Sequence, residues 1–337
     1  MSQSLQIVIP MAGFGSRMRP HTWSKPKPLI ALAGKTVLDY VLEQFRGVPD
    51  RFDKEYVLIV GPNQLEQVRA HMAEKHPELP VHFVVQEEMR GQSDALHLAK
   101  AHLHGPMLMS FSDTLIEADL SILAETDLDG IAWVWPVEDP RRFGVAQVGA
   151  DGAVTRLVEK PQDKSNNLVV VGFYYFQSGE RLIAAIEEQK RRKLTLKGEY
   201  FLADAINLML EDGAHMITQT VDVWLDAGIP SATLETNAHL LARGYDNSAQ
   251  AAQRPGVAIV PPVYIDESAE LEGCVIGPHV SIAAGCKISG SVVRNAIIEE
   301  RTEIRDAVLS DSLIGRDVVV SGRPRSLNVG DNSWVKE

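Results

Sequence analysis

Residues Leu5–Pro20 read LQIVIPMAGFGSRMRP, a short apolar run followed at once by two glycines and two arginines. The run Leu5–Ile9 has the continuous β-branched character of a buried strand and no helical period. Gly13 and Gly15 follow it, where a backbone without Cβ atoms can approach a phosphate and aim N–H groups at the anion. The spacing fails as a dinucleotide fingerprint, because Met18 stands where a third glycine belongs. It fails as a Walker loop as well, because no G-K-[ST] follows. Pro20, Pro26 and Pro28 predict a long extended loop in place of an immediate helix. Arg17, Arg19, Lys25 and Lys27 all lie on that loop, in a chain whose formal net charge is −12. Arginine's planar fork and lysine's mobile point charge both suit phosphate oxygens.

Strand and helix patterns alternate downstream of this stretch. Helices are predicted over Thr36–Phe45, Gln64–Lys75 and Ser93–His102, and strands over Tyr56–Val60, Val81–Gln86 and Met107–Phe111. This rhythm implies a mostly parallel sheet covered by helices, with ligands beyond the carboxyl ends of its strands. The loops after the first, third and fourth strands are therefore the expected sites of chemistry. The pattern then becomes strand-rich over Ile131–Val137, Gly144–Val148, Val154–Glu159 and Leu168–Phe176. Helices return at Glu180–Lys190, Tyr200–Glu211 and Ser231–Leu241, with a strand-like Met216–Val223 among them. The polar, alanine-rich Asp246–Pro255 reads as a linker, which gives a first domain over 1–245, a linker over 246–256 and a second domain over 257–337.

In the second domain apolar residues recur at Ile265, Leu271, Ile276, Ile282, Ile288, Val293, Ile298, Ile304, Leu309, Ile314 and Val320, in steps of five or six. A helix would have spaced them by three and four, so the pattern predicts short strands coiled into a parallel β-helix of hexapeptide type. Cys274, Val280 and Cys286 share one repeat position, which makes the two cysteines small interior residues.

Hydrophobic residues are 45% and charged residues 23% of the 337, ordinary values for a chain with a real core. The acidic balance argues against nucleic-acid and anionic-membrane binding, which need a basic face. Two cysteines without metal-site spacing argue against a disulfide framework. No apolar run approaches the length that spans a bilayer, and no signal-peptide pattern opens the chain, so a soluble cytoplasmic protein is expected.

Taken together, Ala12-Gly13-Phe14-Gly15-Ser16-Arg17-Met18-Arg19-Pro20, Pro26-Lys27-Pro28-Leu29 and Gly34-Lys35 resemble the signature of sugar-nucleotide pyrophosphorylases, the sugar-1-phosphate nucleotidylyltransferases. The likeness is greatest to long-form glucose-1-phosphate thymidylyltransferases that end in a β-helix. It implies a Rossmann-like mixed sheet carrying the nucleotidyltransferase site, followed by a left-handed parallel β-helix. It further implies that Ala12, Gly13, Gly15 and Ser16 line the nucleotide, that Arg17 grips the triphosphate and that Lys27 steadies the reacting phosphates.

Other segments extend the resemblance over nearly the whole chain. Gln86 to Ala95 is similar to the base-reading segment, where Gln86 and the Gly91 backbone would contact the base. A glutamine amide both donates and accepts, as the edge of uracil or thymine requires. Asp113, and Asp226 in Trp224-Leu225-Asp226-Ala227-Gly228, resemble the family's metal carboxylates, and Mg²⁺ suits such oxygen ligands. Phe143-Gly144-Val145, Glu159-Lys160-Pro161 and Val171-Gly172 resemble sugar-side motifs, so Gly144, Glu159, Lys160 and Gly172 would contact the sugar phosphate. Asn166 and Glu199 sit in weaker family-like contexts. Met11 and Phe143 depart from the alanine or glycine and the tyrosine common in relatives.

The expected activity is transfer of a nucleotidyl group from dTTP or UTP to a sugar 1-phosphate, glucose 1-phosphate first, with release of pyrophosphate. A non-catalytic sugar-nucleotide sensor and a bifunctional uridylyltransferase/acetyltransferase are the alternatives. The first would be expected to lose loop or metal residues, and the short tail offers the second only His279 as a base. The β-helix is expected to build a homo-oligomer.

Overall fold

The fold is that of a computed structural model, which describes residues 3–322. Two compact units emerge: Met1–Ile30 with Thr36–Ala232, and Ala31–Lys35 with Thr233–Glu337. Among the described residues no helix is long and apolar enough to cross a membrane.

The first unit is a mixed sheet. Its strands are β1 (Gln3–Pro10), β2 (Phe52–Val60), β3 (Val81–Val85), β4 (Met107–Ser110), β5 (Thr114–Glu117), β6 (Gly130–Pro136), β7 (Gly144–Val148), β8 (Val154–Glu159), β9 (Leu168–Phe176), β10 (Met216–Thr220) and β11 (Val223–Asp226). The main path runs β8-β7-β9-β4-β1-β2-β3, with β6 joined to β9 and to β10. The pairs β1–β2, β1–β4 and β2–β3 are parallel. The loops after β1, β3 and β4 therefore leave one edge of the sheet, where the sequence places its chemistry. β9 converts this parallel half into an antiparallel one, pairing with β4 through Phe173–Phe176 and with β7 at Val169.

Helices α1 (Val37–Glu43), α2 (Leu65–Lys75), α3 (Gln92–Leu98), α4 (Gly179–Arg192) and α5 (Leu202–Glu211) complete this unit. Leu5, Ile7, Val8 and Ile9 are fully buried, as a central strand requires. A capping box starts α1, with Thr36 and Asp39 exchanging side-chain and backbone hydrogen bonds. The predicted strands and helices of this unit are found within a few residues of their expected bounds. β5 and β11 are the exceptions: they form a separate antiparallel ribbon, with Asp226 opposite Thr114.

The second unit is a parallel β-helix. Ala258, Val275, Val292 and Val308 stack in register on one sheet face. Glu270, Lys287, Glu303 and Val319 stack on another. Ile265, Ile276, Ile282, Ile288, Val293, Ile298 and Ile304 fill its core with Cys274 and Cys286, and Leu271, Leu309, Ile314 and Val320 pack against it. Residues 323–337 of the expected domain lie outside the described residues.

The division between units falls inside α6 (Pro230–Leu240), before the expected boundary at 245. The stretch expected as a linker carries a short helix, α7 (Ser248–Ala251). Asn247 brackets Ile265, donating to its carbonyl and accepting from its N–H, and the Ser248 hydroxyl accepts from the Val263 N–H. These polar side chains close an otherwise open strand edge of the first coil, which composition alone does not disclose.

Candidate active site

The loop after β1 is held from below. Gly15 adopts φ +59, and a Cβ there would press on Thr22 and on the Lys27 side chain at 3.0–3.2 Å. The Thr22 hydroxyl donates to the Gly15 carbonyl at 2.8 Å. Ser16–Met18 make one 3-10 turn whose Met18 is fully buried while Arg17 points outward, exposed. Ala12 is buried and Gly13 open to solvent. Gln64, at the start of α2, accepts from the Gly61 N–H and donates to the Gly13 carbonyl at 3.1 Å. Gln64 thus fixes the loop from another strand's exit; its ordinary polar context gave no sequence signal.

Lys27 and Asp113 form an ion pair, both largely shielded from solvent. Asp113 leaves β4, and Asp226 ends β11. The ribbon β5–β11 brings these distant carboxylates together, and the Ala227 N–H donates to the Asp113 carbonyl at 2.9 Å. The Gly228 N–H donates to Asp226 Oδ1 at 2.8 Å. A Cβ on Gly228 would lie 2.8 Å from Asp226 Oδ1 and 3.1 Å from Asp113 Oδ2, so glycine leaves room for both carboxylates. Burial, and then the Asp113 charge, push the Asp226 carboxyl up, while the Gly228 N–H, Lys27 and Arg17 pull the other way. Two carboxylates at close quarters, one reluctant to ionise, match the hard oxygen donor set of a divalent cation. The Gln44 amide pins the ribbon, donating to the Thr114 carbonyl and accepting from the Ile116 N–H.

Gln86 is buried at the end of β3. Its amide nitrogen donates to the Gly91 carbonyl at 3.3 Å and to the Asp94 carboxylate at 3.4 Å, and Lys190 meets that carboxylate at 2.8 Å. This chain of contacts fixes the amide, and its oxygen takes no protein hydrogen bond among the described residues. Gly91 has φ +101, and a Cβ there would lie 2.5 Å from the Tyr200 carbonyl oxygen. Tyr200 clamps the segment through its own N–H to Arg90 and its carbonyl from Ser93.

Gly144 and Glu159 face each other across β7 and β8. A Cβ on Gly144 would meet a Glu159 carboxylate oxygen at 3.2 Å. Burial pushes the Glu159 carboxyl up, against the pull of Lys160, whose ammonium lies 3.3 Å away. Lys160 also sits 4.7 Å from the centre of the Phe201 ring, and Phe143 packs edge-on against Trp224 at 5.3 Å. Tyr200-Phe201 therefore links the Gln86 group to the Glu159 group, and Trp224 links the latter to the strand bearing Asp226. None of these aromatic links was assigned from sequence. Gly172 has φ +82 at a bulge in β9, and the Phe111 ring occupies the space its side chain would fill. It buttresses the segment leading to Asp113. Asn166 donates to the Ala146 carbonyl at 2.7 Å and accepts from the Leu168 N–H, a loop brace, while Glu199 lies in an exposed turn.

Residues 7–243 match the family described as Nucleotidyl transferase. The chain is 28% identical to a glucose-1-phosphate thymidylyltransferase of Streptomyces antibioticus, over 98% of this chain and 99% of that one. It is also 28% identical to the UTP–glucose-1-phosphate uridylyltransferase AglF of Haloferax volcanii, over 67% of this chain and 92% of that one. Among solved structures, a UDP-glucose pyrophosphorylase complexed with UDP-glucose superposes with a TM-score of 0.60 at 19% identity, covering 72% of this chain and 100% of that one. At that identity the superposition speaks for the fold alone.

Proposed function

Because this chain belongs to the nucleotidyl transferase family, we propose that it transfers a nucleotidyl group from dTTP or UTP to glucose 1-phosphate, releasing pyrophosphate. The observation that carries this reading is the convergence of Lys27, Asp113 and Asp226 beside a glycine-rich loop bearing Arg17. The relatives named as a glucose-1-phosphate thymidylyltransferase and a UTP–glucose-1-phosphate uridylyltransferase support the choice of substrates.

The sugar-phosphate oxygen attacks the α-phosphorus in line and pyrophosphate departs opposite. This needs no protein nucleophile, so the chain contributes position and charge. Ala12, Gly13, Gly15 and Ser16 offer backbone to the phosphates, and Arg17 and Lys27 offset charge on the triphosphate. Gln86, its N–H₂ engaged by Gly91 and Asp94, presents its oxygen to the N3–H that thymine and uracil share. Gly144, Glu159, Lys160 and Gly172 form the sugar-phosphate side. Transferases of this family typically use a divalent metal, and Asp113 and Asp226 are the residues that would hold it, as Mg²⁺. When bound, that ion supplies neutralisation of phosphate charge. The protein acts in the cytoplasm as a homo-oligomer built through the β-helix.

The test is pyrophosphate release from dTTP, UTP, GTP, ATP and CTP, each with Mg²⁺ and with or without glucose 1-phosphate. Release that needs both substrates and favours a pyrimidine nucleotide is the expected result. A purine preference would remove the role given to Gln86. Silence with every nucleotide and a panel of sugar phosphates would leave the non-catalytic sensor as the better reading.

A further inference from the structure

Three possible metal ligands meet away from the site described above. The Asp39 carboxylate, His71 Nε2 and His76 Nε2 have ligand atoms all within 4.8 Å of one another. Asp39 lies on α1, His71 on α2 and His76 at the C-cap of α2. Their side chains are only 12%, 13% and 18% exposed.

The two oxygens of Asp39 do different work. Oδ2 completes the capping box, accepting from the Thr36 N–H at 2.7 Å and from the Thr36 hydroxyl at 2.8 Å. A helix cap needs nothing more. Oδ1 is left over, and on it both imidazole Nε2 atoms converge at 2.7 Å each. Two histidines five residues apart, the second beyond the helix end, are turned onto one oxygen by separate pieces of backbone.

We propose that Asp39, His71 and His76 form a second metal site, selective for Zn²⁺ or a similar first-row cation and distinct from the carboxylate pair Asp113 and Asp226. Two imidazoles with one carboxylate are a donor set suited to Zn²⁺ and poorly suited to Mg²⁺, which takes oxygen ligands. To bind, each imidazole gives its Nε2 lone pair to the cation and carries its ring proton on Nδ1. Three protein ligands leave a fourth position for water beside the Thr36 hydroxyl, 3.4 Å from His71 Nε2.

The site ties together two elements that support the phosphate loop. The first N–H of α1, from Val37, donates to the carbonyl of Ile30, next to the segment carrying Lys27. The N-cap of α2 is Gln64, which holds the Gly13 carbonyl. A cation between the start of α1 and the end of α2 cross-links them, so its first effect is on stability.

The experiment uses the full chain, stripped by chelator and held in excess Mg²⁺ so that the active-site carboxylates are engaged. Zn²⁺ is titrated by calorimetry, and histidine carbethoxylation is mapped by mass spectrometry with and without Zn²⁺. The expected result is one Zn²⁺ per chain, a rise in thermal midpoint and protection of both His71 and His76. His76→Gln, a change at a half-buried helix end, should weaken binding by about a hundredfold or more, since even outer-shell losses cost 10–100-fold. Wild-type protein that takes up no stoichiometric Zn²⁺ would overturn the proposal. Protection confined to other histidines, such as the stacked pair His82 and His102, would overturn it too. The carbethoxylation map needs only wild-type protein, so the proposal stands or falls on it even where a variant fails to fold.

Discussion

Arg17 is exposed beside a fully buried Met18, so one turn of chain holds an anchoring side chain next to one that can reach a ligand. Arg17→Ala removes no core contact and should leave the melting temperature unchanged while turnover falls by about 10²–10³, as for loss of a transition-state charge clamp. Retention of more than about a tenth of wild-type turnover would deny Arg17 that role. Asp226 tests the opposite coupling. Its folded-state carboxyl is raised, so between the ordinary carboxylate range and that higher value the folded chain holds a proton the unfolded chain has lost. Its contribution to stability therefore falls as pH rises through that window, and activity, which needs the carboxylate, rises through the same window. Asp226→Asn should remove this slope and, in chelator, melt at or above the wild-type temperature while being inactive. Thermal unfolding from about pH 3 to 8, a range that starts below the ordinary aspartate pKa, checks this. A variant that melts lower across that range would show that Asp226 stabilises the fold and that its burial is no burden.

At the scale of elements, periodicity made most of the first domain legible: apolar runs marked β1 to β4, and Gln64–Lys75 marked α2 to within one residue. The ribbon β5–β11 was not legible, although it is what joins Asp113 to Asp226. Its strands have four residues each and lie more than a hundred residues apart, and such a pairing leaves no local pattern. Motif resemblance singled out the two carboxylates, while the ribbon that aligns them leaves no such signal. The same holds for Gly172, which motif resemblance singled out for the sugar side but whose packing against the Phe111 ring no local pattern discloses. With φ +82 and the Phe111 ring in the way, Gly172→Ala should lower stability by about 2 kcal/mol or more. It should also raise the metal concentration needed for half-maximal rate, because Phe111 leads directly into Asp113. Urea unfolding and a Mg²⁺ titration check the two parts. Lost stability with an unchanged metal requirement would confine Gly172 to packing.

At the scale of the whole molecule, the five- and six-residue steps made the β-helix legible, because each coil buries the same repeat position. The outward faces were not, since a repeat that fixes the inside leaves the outside free. Those faces carry a stripe the interior pattern does not explain. Val275, Val292 and Val308 stack in register and point outward, 38%, 39% and 82% exposed. β-Branched apolar residues repeated on an exposed ladder form a continuous strip, which soluble chains seldom leave uncovered. A second copy of the chain offers an identical strip, so two ladders can pack valine against valine about a twofold axis. Val308→Glu places a charge at the most exposed rung without touching the core. Light scattering on the full chain should then show a wild-type oligomer falling to a monomer, with the thermal midpoint of a diluted sample unchanged. An oligomer that survives both Val308→Glu and the double change with Val292→Glu would place assembly on some other surface, and leave the valine ladder to a different partner.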